Sequence, residues 1–207
     1  MWNEQIIMML LEGIKDTLYM TLTSTLIGYV IGLPMGILLT VTDKDGIHPN
    51  AAVYKVLDVI ANLIRSVPFL ILLIVLIPFT RFLIGRSYGP TATIVPLVIA
   101  AAPYIARMVE SSLKEVDAGV IEAARSMGAS NFTIVTKVML VEARTSLIVG
   151  ATISLGTILG YSAMAGTVGG GGLGDIAIRY GYTRWQTDIM IVTVILLVIL
   201  FQIFQTI

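Results

Sequence analysis

Residues Thr17–Val41 contain no charged side chain, and neither do Ile189–Ile207. A helix needs roughly 20 apolar residues to cross the hydrocarbon of a bilayer, so each stretch is long enough to cross alone. The rest of the chain follows the same pattern: 57% of its residues are hydrophobic, only 13% are charged, and the mean hydropathy is +0.92. A soluble domain carries about a quarter charged residues. About four to six crossings with short loops consume all 207 residues and leave no room for a separate soluble domain.

Apolar length predicts an all-α, polytopic transmembrane protein with one domain over residues 1–207. Five spans are expected at about 17–41, 53–79, 90–109, 147–165 and 189–207, with a polar loop over about 110–146. Gly28, Gly32, Pro34 and Gly36 fall inside the first span, where small residues allow close helix packing. Pro96 and Pro103 predict kinks in the third. An odd number of spans puts the two ends on opposite sides of the membrane. With the polar loop inside, inner segments hold Lys44, Lys55, Arg107, Lys114, Arg125, Lys137 and Arg144, against Lys15, Arg81, Arg86, Arg179 and Arg184 outside. This bias places the N-terminus outside and the C-terminus in the cytoplasm. The first residues are more acidic than basic and lack an A-x-A site, so the first span is expected to serve as its own insertion signal. The sequence stops within an apolar run without a basic flank, and a further tail is expected.

The inventory of reactive side chains is short. Cysteine is absent and His48 is the single histidine, which excludes disulfide frameworks, thiolate catalysis and His/Cys metal sites. The 13 basic residues balance 13 acidic ones and are scattered, so no nucleic-acid surface is indicated. Within the second span, Asp58, Asn62 and Arg65 recur at helical spacing on one face. Two readings fit: Arg65 snorkels or caps a kink before Pro68, or it faces a pathway through protein or water.

The polar loop has internal structure. Asp117 can cap a helix from Ala118 to Met127 that stops at Gly128. Val120, Ala124 and Met127, with Ile121, would form its apolar face. Ser130 can cap a second helix with Ile134, Val138 and Val141 on one side. Such a helix pair either lies in the lipid interface or fills a groove on a partner.

Glu122-Ala123-Ala124, three residues, Gly128, nine residues, then Val138, Met139 and Leu140 resemble the E-A-A-x3-G-x9-I-x-L-P pattern of importer-type ABC transporter permeases. Val138 replaces the usual Ile and Val141 the usual Pro. Further blocks, IRSVPF at Ile64–Phe69, IPFTR at Ile77–Arg81, AAPYIARMVE at Ala101–Glu110 and GYSAMAGTVGGGGLGD at Gly160–Asp175, are similar to permease subunits of methionine importers. The resemblance implies a type I importer permease in the bacterial inner membrane. Its implied partners are a second copy of the chain, two ATP-binding subunits and an extracytoplasmic substrate-binding protein. ATP would be held by the partner subunit, with no cofactor or metal on this chain and no enzymatic activity of its own. Glu122, Ala123, Ala124, Arg125, Met127, Gly128 and Ala129 would couple to the ATPase, and Tyr161, Ser162, Met164 and Arg65 would face the pathway. Met164 reads equally well as packing.

Competing patterns are weaker. Gly169, Gly171 and Gly174 fit G-x-G-x-x-G but lack any strand–turn–helix context, and no P-loop motif is present. Gly172-Leu173-Gly174-Asp175 is similar to a motif of intramembrane aspartyl proteases, whose chemistry needs a second carboxylate sharing a proton. Asp58, the one other acid within a span, follows Leu57 where that family has Tyr. A secondary carrier or channel without an ATPase is compatible with Arg65 and a glycine-broken fourth span.

Overall fold

The structure, a computed structural model, describes residues 4–206, so Ile207 at the end of the expected fifth span lies outside it. Among the described residues every regular element is helical. Helices α1 (Glu4–Thr42), α2 (Ala51–Ser66), α3 (Phe69–Val75), α4 (Ile77–Ile84) and α5 (Pro90–Lys114) lead to the short α6 (Ala118–Ser126). Then come α7 (Asn131–Thr133), a π-helical segment (Ile134–Met139), α8 (Leu140–Glu142) and α9 (Arg144–Ala165). A 3-10 turn (Gly166–Val168), α10 (Gly172–Ile176), a second π segment (Ala177–Tyr182) and α11 (Thr187–Thr206) complete the order. Four helical runs, Glu4–Thr42, Pro90–Lys114, Arg144–Tyr182 and Thr187–Thr206, are long and apolar enough to cross a membrane, and α2 with α3 makes a fifth if the pair counts as one broken span.

Three expectations change. The first helix begins at Glu4, well before Thr17, because Glu12 and Lys15 lie on its exposed side while Leu10, Gly13, Thr17 and Met20 continue one buried stripe. Absence of charge marks where a helix can be in lipid, not where it starts. The second span is not one helix: it breaks at Val67–Pro68, where the proline ring disfavours helical geometry in the preceding residue. The third passes through Pro96 and Pro103 as a single helix and continues to Lys114.

The chain divides into two compact units, one of residues 4–27, 67–100 and 152–206, the other of 28–66 and 101–151. The core of the first is Leu10, Leu159, Leu173, Ile176, Ile189 and Phe204. Thr17 on α1 fastens the glycine-rich turn: its hydroxyl donates to the Gly13 carbonyl (2.8 Å) and accepts from the Leu173 N–H (2.9 Å). A side chain on Gly172 would collide with that hydroxyl, and its φ of +74° is one only glycine adopts readily. The glycine run is therefore a tight return of the chain. It is no dinucleotide cradle.

In the second unit, Gly28, Gly32 and Gly36 on α1 face Ala101, Ala102, Ile105, Ala106 and Val109 on α5. Lipid gives helices no hydrophobic drive to associate, so close approach along a small-residue stripe provides the contact. A methyl group on Gly32 would come within 2.6 Å of the Ala102 carbonyl oxygen. Gly32→Ala is expected to destabilise the protein by about 1–3 kcal/mol through overpacking, whereas Gly160→Ala, where nothing lies within 4 Å, should be neutral or stabilising. Thermal unfolding of the two variants in detergent checks the contrast.

Candidate functional site

The site is built on α6 and the chain on either side of it. Asp117, in extended geometry, accepts a hydrogen bond from the Gly119 N–H at 2.7 Å, which caps the helix start. At the other end the Gly128 N–H donates to the Arg125 carbonyl (3.0 Å) and the Ala129 N–H to the Ala124 carbonyl (3.1 Å). This paired closure, with Gly128 at φ +80°, is a Schellman stop. Ser130 then accepts from the Thr133 N–H at 3.2 Å and starts the next helix. All three punctuation residues expected from sequence hold the ends of these elements.

The faces differ from the expectation. Ala124 is 5% exposed and Ile121 half-buried, while Met127 is 82% exposed and Val120 also points outward. The inward side of α6, packed on the first π segment, is thus Ile121 and Ala124. Glu122, Ala123, Arg125, Met127 and Gly128 are exposed, and Ala129 is half-buried. Downstream, Ile134, Met139 and Ala143 are the buried residues, in place of Ile134, Val138 and Val141. The cause is the π segment over Ile134–Met139, whose extra residue per turn moves the inward position from 138 to 139. Val141, at the usual proline position, is exposed.

Beside α6 a cavity of about 870 Å³ opens onto the loop after α1, lined by Asp43, Lys44, Leu113, Glu122, Arg125 and Met139 among others. The Arg125 guanidinium spans from α6 to that loop, donating to the Ile47 carbonyl at 2.9 Å.

Arg107 falls at the inner end of the expected third span and Glu110 and Lys114 in the expected polar loop, and their joint role is not apparent from sequence alone. They lie on one face of α5, where Arg107 bonds the Asp58 carboxylate, the Asn62 side-chain oxygen (3.0 Å) and Glu110 (2.6 Å). Lys114 bonds Glu110 (2.8 Å) and Asp43 (2.6 Å), and its hydrogen bond holds the Asp43 carboxyl below the usual carboxylate range. That contribution to stability is complete above the ordinary carboxylate pKa and is lost only as pH falls through the lowered value. The spacing of three and four residues was the available signal. Arg65, by contrast, is exposed in the last turn of α2.

In the other unit, Tyr161 stacks on Phe69 with ring centroids 4.4 Å apart and planes 5° from parallel. Ser162 is 1% exposed and donates to the Leu159 carbonyl at 2.7 Å, while Met164 is half exposed. Asp175 is paired with Arg179 (2.8 Å) and Asp58 with Arg107. Each carboxylate therefore faces an arginine where proteolysis would need a second acid. Among the described residues no cluster of acids or histidine is arranged to hold a metal ion.

This arrangement defines a polytopic helical membrane protein with a structured polar loop. The chain belongs to the family of binding-protein-dependent transport system inner membrane components, whose model matches residues 14–207. It is 48% identical over 199 residues to the probable D-methionine transport system permease protein MetI of Vibrio cholerae, covering 96% of this chain and 88% of that one. It is 51% identical over 164 residues to the D-methionine transport system permease protein MetI of Escherichia coli K12, covering 79% and 76%. A chain from an inward-facing MetNI methionine ABC transporter superposes with a TM-score of 0.97 at 49% identity, covering 99% of this chain and 95% of the other.

Because Ala124 supports α6 from inside and Ala123 lies outside, the two respond differently to bulk. Ala124→Arg is expected to lower the unfolding temperature, since it buries an unpaired charge, and Ala123→Arg to leave it within experimental scatter. Differential scanning fluorimetry in detergent measures both.

Proposed function

We propose that this chain is the membrane-spanning permease subunit of an ATP-driven importer for methionine, D or L, in the bacterial inner membrane. It is a transport subunit and not an enzyme. ATP is bound and hydrolysed on two separate subunits, the permease acts as a homodimer, and an extracytoplasmic binding protein delivers the substrate. The observation that carries this reading is α6: a short helix fixed at both ends, outward-facing through Glu122, Ala123, Arg125 and Met127, in a chain about half identical to D-methionine permeases.

The physical requirements of docking match this helix. Ala123 lets a partner wall approach the backbone, and the exposed Met127 adapts to an apolar pocket. With α6 at the cytoplasmic face, the N-terminus lies outside and the C-terminus inside, and the two compact units serve one permease domain. ATPase closure moves α6, and the permease changes its access in response. Tyr161, Met164 and Arg65 are proposed to face the pathway, with Ser162 bracing the helix behind Tyr161 and Met164. Selection of methionine by the binding protein leaves this path needing little specificity.

Vesicles containing the chain with its ATPase, supplied with the binding protein, are expected to take up methionine only when ATP is present. Ala123→Arg should abolish co-purification of the ATPase while membrane insertion stays normal. Uptake independent of ATP would replace the importer reading with a carrier.

A further inference from the structure

We propose that Arg107 and Glu110 are positioning residues: with Asp58, Lys114 and Asp43 they form a ladder of alternating charge that makes α2, the loop after α1 and the end of α5 move with α6 as one body. The inference rests on the permease reading and adds how motion at α6 reaches the spanning helices.

Covalent continuity does not suffice for that task. Between the end of α5 at Lys114 and the start of α6 at Ala118, residues Glu115, Val116 and Asp117 are not helical, so no continuous helix carries motion from one to the other. Two noncovalent links in series bridge this junction. The first is the Arg125 bond to the Ile47 carbonyl, which ties α6 to the loop that carries Asp43. The second is the ladder, which runs from Asp43 through Lys114, Glu110 and Arg107 to Asp58 and Asn62 on α2. Asn62 also donates to the Asp58 carboxylate at 3.1 Å, which closes the α2 end.

The ladder is most buried at its middle, at Glu110. Glu110 is 5% exposed and receives both cations, so moving either away removes part of the compensation for a carboxylate in a poorly solvated place. Hydrogen-bonded charges of this kind fix a unique geometry even where their net stabilisation is small. Arg107, Glu110 and Lys114 share one face of α5 at spacings of three and four, so the loop after α1, α2 and α5 are joined along one line.

The test compares methionine uptake with ATP hydrolysis in the complete transporter reconstituted into vesicles. Glu110→Gln keeps the shape and removes the charge shared by Arg107 and Lys114. Hydrolysis is expected to persist while uptake per ATP falls about five- to ten-fold, the scale on which residues between sites alter coupling. A parallel fall in both, or an unchanged ratio, overturns the proposal. A second variant does not depend on that substitution being tolerated. Since the chain has no native cysteine, Asp43→Cys with Lys114→Cys can be bridged by a short bis-maleimide. Recovery of the uptake-to-hydrolysis ratio on bridging supports a permanent strut; arrest of transport, or no recovery, refutes it. Wild-type vesicles run alongside decide the permease reading separately, because absence of ATP-dependent uptake there sinks that reading and not the ratio.

Discussion

Glu110 sets the terms for the unit that carries α6. A carboxylate with 5% exposure at the end of a membrane-length helix has to be met by opposite charge, because hydration is scarce and an unpaired ion there costs several kcal/mol. Arg107 and Lys114 meet it from the same helix, and each then has bonding capacity left for a second acid. Asp58 and Asp43 fill that capacity from α2 and from the loop after α1. One buried charge thus ties together two helices, α5 and α2, and the loop after α1, and leaves the exposed face of α6 free.

Glycine does complementary work where charge is absent. Along α1, Gly28, Gly32 and Gly36 let the α5 backbone approach closely, which replaces the hydrophobic drive that lipid cannot supply. In the other unit the Gly169–Gly172 turn brings α10 against Thr17 through a backbone conformation closed to other residues. Both uses are structural: the glycines set how closely the helices and the turn approach their neighbours.

What the sequence made legible follows from local rules. Apolar length located the crossings, and Asp117, Gly128 and Ser130 marked helix ends because caps and stops depend on residues within one turn of each other. Features that depend on partners distant in sequence were hidden. No one-dimensional pattern says that Asp58 meets Arg107, although Arg107, Glu110 and Lys114 already shared a helical face. The inward position at Met139 instead of Val138 was lost because hydrophobic periodicity assumes a regular helix, and the π segment adds a residue. The placement of Ala124 inside and Met127 outside was lost for a related reason: a weakly amphipathic helix does not declare which side meets the fold. Pro68, in contrast, was a readable break within the second span.

The exposed face of α6 is proposed as the surface that the ATPase engages. Cysteines introduced one at a time at Met127 and Ala124, in a chain with none of its own, can be tagged with a thiol-reactive photocrosslinker in the isolated permease before the ATPase is added. Met127→Cys is expected to label readily and to crosslink to the ATPase, while Ala124→Cys resists labelling. Ready labelling at Met127→Cys with no crosslink to the ATPase would contradict the proposal.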